Sequence, residues 1–175
     1  MTNSIIFDIT PLMETATGTR ELYSFDMPID FENIKIKSHM TGKAEIMKIE
    51  DGFNAKVTDI NVKVEVVCTK CLKKFSQNVH IAATERQFLM QKPIHIEDES
   101  DLYLVNKKDL TIDLGEFLRQ EIILHFPLVP VCSKSCKGLC PTCGKDKNKE
   151  DCDCPKRETE GYKPLAVLKK LIKNK

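Results

Sequence analysis

Ile60-Asn61-Val62-Lys63-Val64-Glu65-Val66 runs directly into Val67-Cys68-Thr69-Lys70-Cys71. The first seven residues put four β-branched side chains on one face and polar ones on the other, the period-two pattern of a half-buried strand. The strand then ends in two thiols spaced so that one turn can aim both at a single tetrahedral ion. Downstream, Leu72, Phe75, Val79 and Ile81 recur among polar residues, which places the cysteine pair at a hairpin tip or strand end. Upstream, Lys43 to Glu50 and Phe53 to Thr58 flank Asp51-Gly52, a dipeptide suited to the positive φ angles of a tight hairpin turn. After the acidic run Glu97-Asp98-Glu99-Ser100-Asp101, read as a loop, Leu102 to Val105 forms a short strand.

Asp113 opens the clearest helix, 113–126. Its carboxylate is placed to cap the first turn, and Glu116 stands three residues on as in a capping box. Leu114, Phe117, Leu118 and Ile122 form an apolar stripe that Pro127 terminates. Phe126 to Val131, with prolines at 127 and 130, is a stiff connector that delivers Cys132. Residues 132–156 carry only Leu139 among the large aliphatics, so packing cannot offset their ordering entropy. A last amphipathic helix is expected from near Pro164, with Leu165, Leu168, Leu171 and Ile172 on its docking face. The fold class that follows is α+β: an antiparallel, barrel-like sheet with one central helix, a Cys-rich zinc-binding subdomain and a C-terminal amphipathic helix. The corresponding division is a β-rich body at 1–131, the metal-binding segment at 132–156 and a tail with its helix at 157–175.

All eight cysteines fall into close pairs: Cys68 with Cys71, Cys132 with Cys136, Cys140 with Cys143, and Cys152 with Cys154. Cys140-Pro141-Thr142-Cys143-Gly144 has the form of a zinc knuckle, the glycine letting the backbone turn under the metal. Cys152 and Cys154, at i and i+2 of an extended backbone, point the same way. Gly144 and Asn148 supply turn residues for the return, so Cys140, Cys143, Cys152 and Cys154 are assigned to one local site. Cys68, Cys71, Cys132 and Cys136 then form a long-range site that clamps tail to body. The loop between those pairs is sixty residues long, but closure entropy grows only logarithmically with length. A pairing of Cys132 and Cys136 with Cys140 and Cys143 stays open, as do iron-sulfur ligation and a redox-active Cys-x2-Cys. His39, His80, His95 and His125 are scattered singles, read as surface or half-buried residues, with His80 the one spare-ligand candidate.

At 175 residues with 41% hydrophobic content the chain can bury a real core. No apolar run approaches a membrane span. Met1 to Thr10 shows no charged leader, apolar run or cleavage site, so the expectation is a reducing, cytoplasmic setting in which thiols bind metal. The net charge of +1 hides an asymmetry: residues 1–131 hold 15 basic against 20 acidic side chains, and 132–175 hold 12 against 6. No phosphate-cradling loop, nucleophile elbow or His-Glu-x2-His helix occurs, and enzyme chemistry has no visible home.

The Val-rich strand ending in Cys-x2-Cys, Ile112 to Gln120, Pro127 to Cys132, Cys136-Lys137-Gly138-Leu139-Cys140-Pro141-Thr142-Cys143-Gly144 and Pro164 to Leu168 come in an order that resembles the bacterial YceD family. That resemblance covers most of the chain, though the first 40 residues match loosely. It implies a part in ribosome biogenesis and accumulation of large-subunit ribosomal RNA. Some relatives lack the distal cysteine set that this chain has in full, so metal there would be stabilising and dispensable for the shared activity. The expectation is a non-enzymatic zinc-binding factor, with two ions, that binds rRNA or a pre-large-subunit particle. Lys134, Lys137, Lys145, Lys147, Lys149, Lys156 and Arg157, around the cysteines, are its candidate phosphate contacts. The competing readings are an adaptor for a ribosomal protein or assembly enzyme, and a thiol redox sensor.

Overall fold

The alternating run of residues 60–66 is the distal half of one of two very long strands. A computed structural model describes residues 4–93 and 102–154. In chain order the elements are β1 (Ile6–Asp8), α1 (Thr10–Met13), β2 (Arg20–Met27), β3 (Met40–Ile49), β4 (Gly52–Val67), β5 (Lys74–Leu89), β6 (Tyr103–Leu104), β7 (Thr111–Asp113) and α2 (Gly115–Leu124). Strands β2-β3-β4-β5-β6 make one sheet, antiparallel except for the parallel β5–β6 pair, and β1 pairs with β7 in a second, two-stranded sheet.

The expected barrel is corrected: the five-stranded sheet is open, with β2 and β6 at its edges. Closure would need a long last strand returning to β2, and β6 supplies only two residues, Tyr103 and Leu104. Strands β1, β2 and β7 carry no expectation from the sequence. β1 and β7 are three residues each, and β2 alternates with Leu22 facing water at 75% exposure.

β4 buries odd positions at first (Phe53, Ala55, Val57) and even ones later (Ile60, Val62, Val64). The change falls at Asp59, whose φ is 54°, opposite the register shift between Thr41 and Lys43 of β3. One extra residue moves the alternation by one and keeps the apolar side chains on the core side. The turn before β4 also differs from expectation. Glu50 and Asp51 occupy it, Gly52 already pairs with Ile49, and neither Asp51 nor Gly52 has a positive φ. Glycine is needed at 52 for closeness instead, because a Cβ there would lie 2.1 Å from the Phe88 carbonyl oxygen.

The helix stripe is as expected: Leu114, Phe117, Leu118 and Ile122 are fully buried. Phe117 meets the Tyr103 ring edge-on at 6.1 Å and lies under the Arg86 guanidinium at 5.5 Å. The capping differs. Asp113 Oδ1 accepts from Gly115 N–H and Ile5 N–H, both at 2.8 Å, so it ties the helix start to the residue that leads into β1. Glu116 grips Arg119 at 2.7 Å through both oxygens instead of closing a capping box. The acidic run 97–101, His95, Lys156, Arg157 and the helix expected from Pro164 lie outside the described residues.

Candidate metal centres

Both Cys-x2-Cys turns are built on the same hydrogen bonds. At the β4–β5 tip, Cys68 N–H donates to Lys73 O (2.9 Å) and Leu72 N–H returns to Cys68 O (2.9 Å). In the tail, Cys140 N–H donates to Lys145 O (2.8 Å) and Gly144 N–H returns to Cys140 O (2.9 Å). The residue after the second cysteine is left-handed in each, φ 59° at Leu72 and 74° at Gly144. The glycine role expected of Gly144 therefore holds, and Leu72 fills the same role against the preference of its side chain. Aligning the two knuckles residue by residue would have revealed that role from the sequence.

The four thiols of Cys68, Cys71, Cys132 and Cys136 lie within 4.8 Å of one another, and so do those of Cys140, Cys143, Cys152 and Cys154. The structure thus brings together the two groups read from the sequence. In the first, Sγ of Cys71 and Cys132 are 3.6 Å apart and Sγ of Cys68 and Cys136 are 3.9 Å apart. Four sulfurs at about 2.3 Å from a tetrahedral ion stand about 3.8 Å from each other. All eight cysteines are free, and these separations are far beyond a sulfur–sulfur bond of about 2.05 Å. The donor sets therefore fit a tetrahedral, thiophilic ion such as zinc.

The first centre is held from three directions. Thr69 donates through both its N–H and its hydroxyl to Pro130 O, at 2.9 and 3.1 Å, which docks the proline connector on the hairpin tip. Leu139 N–H donates to Lys70 O at 2.9 Å. Gly138, at φ 72°, lies so close that a Cβ there would sit 3.0 Å from the same carbonyl. Cys68, Cys71 and Cys136 form a small buried cluster with Phe75, Val131, Cys132 and Leu139 against it. The second centre is shallower: Cys140 is buried, Cys152 and Cys154 are half-buried and Cys143 is exposed. Asn148 joins the two centres, accepting from Lys137 N–H at 2.8 Å and donating to Cys136 Sγ at 3.5 Å. The sequence signals Asn148 only as a turn residue and gives Gly138 no role of its own; what each does depends on partners distant along the chain.

Each group mixes a thiol that ionises easily with one that does not. Burial opposes charge on Cys68, but the amides of Cys132, Cys71 and Lys70 outweigh it and bring the thiol down to about 6. The amides of Cys143 and Thr142 bring Cys140 down to about 6. Burial, followed by the thiols of Cys71, Cys136 and Cys68, pushes Cys132 up to about 12. The Cys143 thiol, with burial, pushes Cys154 up to about 12. Without a cation the four sulfurs of a group cannot all be charged; a divalent ion removes that conflict.

The described histidines stay outside both groups. His80 Nδ1 is 3.0 Å from Asn61 Oδ1, His39 faces Asp26 at 2.9 Å, and His125 reaches the Glu121 carbonyl at 2.8 Å. Of the candidate phosphate contacts, Lys134, Lys137, Lys145 and Lys149 are exposed and Lys147 is half-buried. Lys145 is paired with Glu150 at 3.5 Å.

The family model for YceD, described as large ribosomal RNA subunit accumulation protein, matches residues 58–172, a span that contains both cysteine groups. The chain belongs to the YceD family. Two YceD relatives named as chloroplastic large ribosomal RNA subunit accumulation protein homologues match over shorter stretches. The Arabidopsis thaliana protein is 35% identical over 65 residues, 37% of this chain and 20% of its own length. The Zea mays protein is 41% identical over 58 residues, 33% of this chain and 20% of its own. An uncharacterized Mycobacterium tuberculosis protein is 35% identical over 79 residues, 44% of this chain and 37% of its own. The chain thus spans less than two fifths of the length of these curated relatives. No solved structure matches it. Among the described residues no helix is long and apolar enough to cross a membrane.

Proposed function

We propose that this protein is a non-enzymatic, zinc-stapled factor of the cytoplasm that supports accumulation of large-subunit ribosomal RNA by binding that RNA or a precursor particle containing it. The observation that carries the reading is the gathering of eight reduced cysteines into two four-sulfur groups within a chain of this family. Zinc in both gives the tail an order that packing alone does not supply, and fixes basic side chains at defined places on a surface. Two measurements test it. Elemental analysis of protein purified without added zinc should give two ions per chain. Binding to a large-subunit rRNA transcript should weaken steeply as salt rises, and a flat salt profile would overturn the RNA reading.

A second reading, an adaptor for a ribosomal protein or assembly enzyme, is favoured by the connector. Leu128 is 99% exposed and Val129 66%, between two prolines that hold them rigidly. Affinity capture after nuclease treatment separates the two: partners that persist support the adaptor, and partners that vanish support RNA binding.

A further inference from the structure

The tail's positive charge is not spread evenly over the two centres, and the fold adds lysines to one of them that a linear reading assigns to the body. The hairpin tip, residues 67–75, contributes Lys70, Lys73 and Lys74 and no carboxylate; residues 127–139 contribute Lys134 and Lys137 and no carboxylate. All five are exposed, and the Leu139–Lys70 and Thr69–Pro130 hydrogen bonds hold the two segments together. Residues 140–154 carry three lysines against Asp146, Glu150, Asp151 and Asp153. A zinc ion with four thiolates has a net charge of −2. Five lysines against that −2 leave the clamp at +3, whereas three lysines against four carboxylates and the same −2 leave the distal centre at −3.

We infer that the phosphate-binding surface is the clamp, a composite of Lys70, Lys73 and Lys74 from the β4–β5 tip with Lys134 and Lys137 from the tail, and that the distal centre takes no part in holding RNA. The inference rests on the proposed RNA binding and says where on the molecule it occurs. The ligand is a phosphodiester backbone, recognised by charge. Exposed aromatic side chains for stacking bases are not offered by either segment, whose one aromatic, Phe75, packs against the thiol cluster. Lys145 is partly neutralised by Glu150. Asp146, held below the usual carboxylate range first by the Asn148 amide groups, lies beside Lys149 and also beside Lys73, so it offsets one clamp lysine. Glu150, Asp151 and Asp153 remain with the distal segment. The distal lysines therefore face a field of the wrong sign for phosphate. Because the composite exists only while tail and tip are joined, the first ion is required for RNA contact and the second is not.

The test uses the full metallated chain and a large-subunit rRNA transcript, with affinity measured across a salt series. One variant combines Lys70→Gln, Lys73→Gln, Lys74→Gln and Lys137→Gln, and the other combines Lys145→Gln, Lys147→Gln and Lys149→Gln. Zinc content and circular dichroism verify that both remain folded. The first variant should lose about ten- to a hundredfold in affinity, with its salt slope shallower by about two to four. The second should bind as the parent does, or slightly tighter. A parent that binds with strong salt dependence, together with an undiminished first variant or an equally weakened second one, overturns the inference and leaves RNA binding intact. A parent that shows no salt-dependent binding, or whose clamp captures a nuclease-resistant protein instead, overturns both.

Discussion

The two cysteine centres share one turn geometry and differ in nearly everything around it. At the hairpin tip the knuckle closes a sixteen-residue strand pair, its thiols are buried, and segments more than sixty residues apart meet there. In the tail the knuckle closes on its own neighbours and leaves Cys143 exposed. Identical local geometry thus serves two tasks: the first centre joins parts of the molecule distant in sequence, and the second gathers a local segment that meets the first mainly through residues 136–139. Which task a centre has depends on where the chain delivers its second pair of thiols.

The sharpest way to break this contrast is to remove one ligand from each centre. Cys71→Ser should cost one ion, release the tail to limited proteolysis and lower the melting temperature by about 10 °C or more. Cys143→Ser should also cost one ion but leave the main melting transition within about 2 °C of the parent, with new cleavage confined to residues beyond Leu139. Matched, global unfolding by both would show that the centres are not separate units. Next in size is Gly138→Ala, which combines a left-handed backbone with a Cβ 3.0 Å from the Lys70 carbonyl. It should destabilise the clamp by about 1–2 kcal/mol in denaturant titration while both ions stay bound. The smallest and most discriminating change is Leu72→Gly. It gives the tip knuckle the residue its tail counterpart already has, and the lost side chain is 63% exposed. Relief of the left-handed strain should raise stability by up to about 1 kcal/mol; a loss of the same size would mean that Leu72 packs against something that favours the leucine.

Much of this was legible in the residues. The strict alternation of Ile60, Val62 and Val64 and the helical stripe Leu114, Phe117, Leu118 and Ile122 appear where local period and burial agree. The cysteines were legible as four local pairs; their division into two groups was one of the pairings that the spacing left open, and the structure gathers the thiols in that division. The misses have three physical causes: a partner far along the chain, a competing side chain within the same helix turn, and a strand too short to show a period. Asp51-Gly52 looks like a turn signal, yet Gly52 serves the approach of Phe88, thirty-six residues later. Glu116 looks like half of a capping box, yet Arg119 offers it a charge-assisted bond that the backbone cannot match. Sheet closure could not be judged, because a strand as short as Tyr103–Leu104 leaves almost no periodic trace. For the centres, the nearness of the tip's lysines to the tail is visible only once the fold joins the two segments.

The supernumerary residue at Asp59 gives the molecule a mechanical sensitivity. The distal half of β4, which carries the paired thiols at its end, faces the core in a register offset by that residue relative to β3. Deleting Asp59 would rotate the far half of the ribbon by half a turn, exposing Ile60, Val62 and Val64 and aiming the tip away from the segment it must grasp. One codon there bears on whether the hairpin tip meets the tail.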